Sequence, residues 1–275
     1  GMKTFRSLFI SSQTIYSDLT KPKLLTSAIC IVALFSVDLT YGYHPISPYA
    51  YCAGNPIKYV DPDGQEYRVS FHGDGARELF EQIYNSGFNG QFKVTLTDTD
   101  TKGVYKVGLE ATKGGGDLSK LSEGAQSFYR GTKEVVDHET RVVNMAVYNG
   151  KEGVDIGRYS DGAIDVADMS QFAPMDPNAA VQPAATQQGK MMHELREQYG
   201  KVISGVPSGS SNMYRHNHER AVGWENSVNR NTRLIDGVQS RNVFIQSYQL
   251  PNGTVNRLLV RTGIPIIKVT PYGSR

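Results

Sequence analysis

The stretch MMHELREQY, residues 191–199, places His193 and Glu197 four positions apart, with Glu194 directly after the histidine. At 3.6 residues per turn that spacing puts an imidazole nitrogen and a carboxylate oxygen on one helical face, where both can reach a common point. The sequence predicts a helix over 186–199 that stops at Gly200. A second helical pattern runs from about residue 212 to 232 and contains YRHNHERAVGWENSVNR, in which His218, Val222 and Glu225 follow at i, i+4 and i+7. The Gly- and Ser-rich link at 204–211 is long enough for the second helix to turn back on the first.

Working outward from this pair, the flanking segments read mostly as strands. Residues 67–71 alternate apolar and polar side chains, and 76–84 (ARELFEQIY) puts Leu79, Phe80, Ile83 and Tyr84 on one helical face, with Asp74 as a cap. Residues 91–97 and 103–111 form a hairpin pattern, 141–148 a further strand, and 154–168 a hairpin turning at Ser160, Asp161 and Gly162. Residues 174–183 read as a loop. Strands are expected at 242–249 and 254–261 around a turn at Asn252 and Gly253, followed by an apolar run at 264–269. The expected class is α+β: a mixed or antiparallel sheet with a helix pair near the C-terminus.

The chain has 275 residues with 39% apolar and 20% charged side chains and a net charge of +2. That composition argues against wholesale disorder, a coiled coil or a polytopic membrane protein. No basic run tracks a phosphate backbone, so nucleic acid is not indicated as a partner. Cys30 and Cys52 cannot build a disulfide-dense scaffold. Gly1 ahead of Met2 reads as a tag remnant. Residues 24–37 (LLTSAICIVALFSV), preceded by Lys21 and Lys23, are too short to span a bilayer and have the length of a signal-peptide core. This run predicts a secreted or cell-envelope protein; its other reading is a buried helix or strand. Three regions follow: a leader at 1–40, a turn-rich tip at 41–66 and a main domain at 67–275.

The tip contains SPYAYCAGNPIKYVDPDG, dense in Tyr, Pro, Gly and Asn and without helical periodicity. It resembles the C-terminal signature of the RHS repeat-associated core, through Pro48, Tyr49, Ala50, Tyr51, Asn55, Pro56, Tyr59, Asp61, Pro62, Asp63 and Gly64. The resemblance implies a variable effector domain after the motif, often a toxin, with a cognate immunity protein as a further partner. The chain departs from the family in having little repeat shell ahead of the motif. Without the family, the same residues read as a rigid linker.

The chemistry concentrates on the helix pair. Residues 193–197 read H-E-x-x-E where a zincin has H-E-x-x-H, and zinc accepts a carboxylate oxygen in place of the second imidazole. The pair resembles zincin-like metallopeptidase effectors found behind RHS cores. On that resemblance His193, Glu197 and His218 hold zinc, and Glu194 is the general base that takes a proton from the attacking water. His216 competes as third ligand, while Glu225 either orients His218 or ligates itself. The implied activity is hydrolysis of a protein or peptide substrate.

Other readings stand beside this one. The helices can be ordinary core of a non-catalytic surface or binding module, with Trp224 and Tyr199 as core or pocket wall and Arg196 and Arg220 solvated or paired. The triplet His216, Asn217, His218 stands between arginines suited to phosphate contact, which makes a metal-dependent nuclease toxin the third reading. Against it, the ββα-metal nuclease motif spreads its His, Asn and His over tens of residues, and a contiguous triplet does not match that spread. His44, His72 and His138 lack ligand-type neighbours at helical spacing and read as structural.

Overall fold

A computed structural model describes residues 66–138, 140–205, 211–234 and 242–267. All of them belong to one compact unit, Pro62–Arg275. The leader, its apolar run and the RHS-like motif lie outside the described residues, as does His44.

The main sheet has six strands, β1 (Glu66–His72), β2 (Phe92–Asp98), β3 (Val104–Ala111), β4 (Val142–Tyr148), β5 (Gly157–Arg158) and β6 (Ala163–Asp165), in the order β2-β3-β1-β4-β6-β5. Strand β1 (Glu66–His72) buries Tyr67 and Val69 and runs parallel to β4 (Val142–Tyr148), with Val69 opposite Met145. Helix α1 (Ala76–Ser86) follows β1 and buries Leu79, Phe80, Ile83 and Tyr84, the face its periodicity predicts. Its cap is Gly75 at φ 78°, not Asp74; no side chain caps this helix. Strands β2 (Phe92–Asp98) and β3 (Val104–Ala111) form the expected antiparallel hairpin, and β3 pairs antiparallel with β1. The sheet is therefore mixed, and the α+β class holds.

Between β3 and β4 lies helix α2 (Glu123–Val136), which is not among the elements expected above. It buries Phe128 and Val135, and two glycines beside them allow close approach: a Cβ on Gly131 would lie 2.7 Å from Met192 Sδ, and one on Gly124 would lie 2.4 Å from Val228 O. Strands β5 (Gly157–Arg158) and β6 (Ala163–Asp165) form the predicted hairpin at the sheet edge, turning through Gly162 at φ 70°. A one-turn helix, α3 (Val166–Met169), follows and is capped by Asp165.

Helix α4 (Gln187–Ser204) starts at Thr186, whose hydroxyl accepts from Gly189 N, and ends at Gly205 in the left-handed region. The expected stop at Gly200 is wrong for a physical reason. Gly200 is a point of close approach, since a Cβ there would meet Asn217 Oδ1 at 2.7 Å. A Cβ on Gly189 would meet Asn229 Oδ1 at 2.3 Å, so two glycines admit two asparagines of helix α5 (Ser211–Asn229). Asn229 Oδ1 also accepts from Thr186 N at 3.0 Å and Thr186 Oγ1 at 2.8 Å. The two helices thus pack closely side by side. Every residue from Gln188 to Gly200 is buried, so α4 runs through the interior rather than along a surface.

Helix α5 gives way at Arg230, φ 58°, to a second sheet of β7 (Thr232–Arg233), β8 (Val243–Gln249) and β9 (Val255–Arg261), in the order β7-β8-β9. The β8–β9 hairpin matches expectation. Residues 264–267 of the apolar run form no strand, and the rest of that run lies outside the described residues.

Candidate metal centre

His193 and Glu197 meet on one face of α4, with His193 Nε2 3.1 Å from Glu197 Oε1. His218 enters from α5 and its Nδ1 hydrogen-bonds the same carboxylate oxygen. One ligand atom from each of His193, Glu197 and His218 lies within 4.8 Å of the other two. His193 and Glu197 are buried and His218 is half-buried. Around a tetrahedral ion with bonds of about 2.0–2.2 Å, donors sit roughly 3.3–3.6 Å apart. Two imidazoles and one carboxylate at this separation fit a divalent ion that prefers nitrogen and oxygen, after small side-chain adjustments.

The rings of His193 and His218 meet edge to face, centroids 4.9 Å apart. Glu225 sits beneath the trio, fully buried. Its Oε2 lies 3.1 Å from His193 Nδ1, so it orients His193 and not His218, which corrects one sequence expectation. The same carboxylate accepts from Lys190 Nζ at 2.6 Å, Arg233 Nη1 at 3.0 Å and Tyr248 Oη at 2.6 Å. A carboxylate so surrounded has no place left as a primary ligand. His216 also falls away: it is exposed, outside the cluster, while its neighbour Asn217 is buried and donates to Tyr159 Oη at 2.9 Å. The contiguous His-Asn-His triplet therefore does not converge, because adjacent helical residues face different directions.

Charges follow from this packing. Burial pulls the His193 imidazole down, but bonds to Glu197 and Glu225 outweigh it and hold it up at about 9. Burial pushes Glu197 up, yet the two histidines keep it well below the usual carboxylate range. Glu225 is held low in the same way by Lys190 and Arg233. Burial drags the Lys190 ammonium down to about 8, with Glu225 opposing the shift.

Glu194 lines the same cavity as the trio, a space of about 360 Å³. Burial first, and the charge of Glu197 second, push its carboxyl up to about 7. Its side chain presses against the backbone of the edge strand, where a Cβ on Gly157 would lie 1.8 Å from Glu194 Oε2. A Cβ there would have to displace the Glu194 carboxylate. Tyr214 and Tyr159 stand at the mouth with ring centroids 5.0 Å apart.

Lys190, Arg233, Tyr248 and Gly157 were missed in the sequence. Lys190 precedes His193 by three positions on one helix, a legible spacing, but Arg233 and Tyr248 arrive from another sheet with no local signal. Arg196, expected to be solvated or paired, is paired with Glu134 at 2.9 Å, and it is also buried, its guanidinium 4.3 Å from the Trp224 ring and 4.8 Å from the Tyr199 ring.

No known protein family, curated protein or solved structure matches this chain.

Proposed function

We propose that the chain is a zinc-dependent peptidase of the zincin-like kind, delivered as an effector of an RHS-type system. The observation that carries this reading is the position of Glu194: a carboxyl in the same cavity as His193, Glu197 and His218, with its pKa raised to about 7, where a general base works best near neutrality. A bound divalent ion would supply a Lewis acid that polarises a carbonyl and acidifies water. His193, Glu197 and His218 would hold it, and Glu225 would fix the His193 ring through Nδ1. Glu194 would then accept a proton from the attacking water and return it to the departing amine.

The edge strand supports a peptide substrate. Gly157 and Arg158 of β5 border the cavity at the end of the main sheet, so an extended backbone can lie beside them. The resemblance of residues 47–64 to the RHS-core signature supports the effector role and a cognate immunity protein, and the apolar run at 24–37 supports secretion.

The test combines elemental analysis with a turnover assay. About one zinc per chain is expected, lost in His193→Ala. Glu194→Gln should keep the metal while peptide hydrolysis falls by about 10²–10⁴-fold, the range for removing a general base. Unchanged hydrolysis would remove Glu194 from the mechanism, and absence of metal after supply of zinc at neutral pH would leave a non-catalytic binding module.

A further inference from the structure

The second sheet ends on β9, and no strand lies beside the far edge of β9 among the described residues. The two ends of the hairpin fix its hydrogen-bond parity: Leu250 N donates to Thr254 O at 2.8 Å and Thr262 N to Asn242 O at 2.9 Å. Alternation along an antiparallel ladder then turns the N–H and C=O groups of Val255, Arg257, Leu259 and Arg261 away from β8. Arg261 shows what this edge binds. The Gln171 side chain donates to Arg261 O at 2.5 Å and accepts from Arg261 N at 2.9 Å, as a neighbouring strand's backbone would. The backbone groups of Arg257 and Leu259 on that edge have no such partner among the described residues.

The side chains of these four residues share the outer face of the hairpin. Val255 is 49% and Leu259 60% exposed, and both arginines are exposed as well, so the row reads apolar, cation, apolar, cation. On the inner side, Leu258 and Val260 border a cleft of about 370 Å³ whose other wall includes Phe172, Ala184 and Ala185. Edge, charge row and cleft run along the same strand.

We propose that the edge of β9 from Val255 to Leu259 accepts an extended segment of a partner protein, with one acidic side chain opposite Arg257, a second within reach of the Arg261 side chain, and apolar ones turned toward the Leu258–Val260 cleft. Backbone pairing supplies affinity in this mode, and alternate side chains supply specificity. A second copy of the chain is the poorer occupant. Two β9 strands side by side would line up four arginines along one seam, and like charges across a strand pair are destabilising. The same arginines that deter self-pairing admit an acidic strand. The proposal does not depend on the hydrolytic reading.

The probe is a blocked peptide, Val-Glu-Val-Leu-Val-Glu-Val, compared with a version carrying lysine for glutamate, with binding followed by fluorescence anisotropy on labelled peptide. The acidic peptide should bind at least tenfold more tightly than the lysine peptide, and the pair Arg257→Glu with Arg261→Glu should reverse that order. Leu259→Pro removes an outward N–H without touching a β8 bond, so it should weaken binding tenfold or more. No binding of the acidic peptide, or binding that survives Leu259→Pro in a folded variant, overturns the proposal. So does a dimer in sedimentation that Leu259→Pro dissolves, which would assign the edge to a second copy. Should the proline variant not fold, the charge reversal decides alone: an unaltered preference overturns the proposal.

Discussion

Glu225 Oε2 lies 3.1 Å from His193 Nδ1, on the side of the ring away from the nitrogen that meets Glu197. The ring is thereby held by a carboxylate at each nitrogen, one buried as support and one at the cavity. Lys190 and Arg233 make Glu225 tolerable in the interior, since a buried charge is retained only when paired and hydrogen-bonded.

Removal of this support should show in two measurements. Glu225→Gln leaves Lys190 and Arg233 without their anion, so denaturant unfolding should report a loss of about 3–5 kcal/mol, the cost of breaking a buried pair. Competition with a chelator should report metal affinity about 10–100-fold weaker, as for other outer-shell carboxylates.

Metal uptake should release a proton. A metal ligand must be a neutral imidazole, and His193 without metal is held up at about 9, so at neutral pH it carries a proton that binding displaces. Calorimetry in two buffers of different ionisation enthalpy should therefore show close to one proton released per chain. The apparent affinity should rise with pH and flatten above about 9; a pH-independent affinity would contradict the arrangement.

Two helical glycines should respond oppositely to alanine. Gly200→Ala drives a Cβ to 2.7 Å from Asn217 Oδ1 between α4 and α5. Thermal or urea unfolding should show a loss of about 1–3 kcal/mol from overpacking. Gly223→Ala in α5 meets nothing within 4 Å and should stabilise by about 0.5–1 kcal/mol through helix propensity.

Asp168 should make stability fall with rising pH. Its carboxylate accepts from Ile156 N and Gly263 N at 3.2 Å each, but burial, and then the charge of Asp165, push it from 3.8 up to about 7. The folded chain holds this proton more tightly than the unfolded chain, so the contribution is full below about 4 and lost as pH rises through about 7. Urea midpoints across that window should fall less steeply in Asp168→Asn than in the parent, and parallel curves would rule out this carboxyl as the source.

The sequence carried the local half of this protein. The alternation at 67–71, the hairpin patterns and the face of Leu79, Phe80, Ile83 and Tyr84 each register a boundary between core and solvent, and each appears where its period places it. Helix α2 also carries a local signal, the Ser122 cap and Ala125, Phe128, Thr132 and Val135 at helical spacing, which Gly124 and Gly131 dilute. Gly200 reads as a helix stop by local rules and is instead a contact, because local rules do not contain Asn217. The i, i+4 pair His193 and Glu197 was legible since one helix suffices to bring the two together.

By itself, then, the sequence determined the α+β class, the two C-terminal helices and the meeting of His193 and Glu197 on one helical face, because periodicity and spacing within one element are local properties. Only the tertiary structure decided that His218 and not His216 reaches Glu197, that Glu225 serves His193, and that Lys190, Arg233 and Tyr248 converge on Glu225. Those choices depend on how α4, α5 and the β7-β8-β9 sheet rotate against one another. Their contacts join residues distant in the chain, Gly200 with Asn217 and Gly189 with Asn229 among them, which no single stretch encodes.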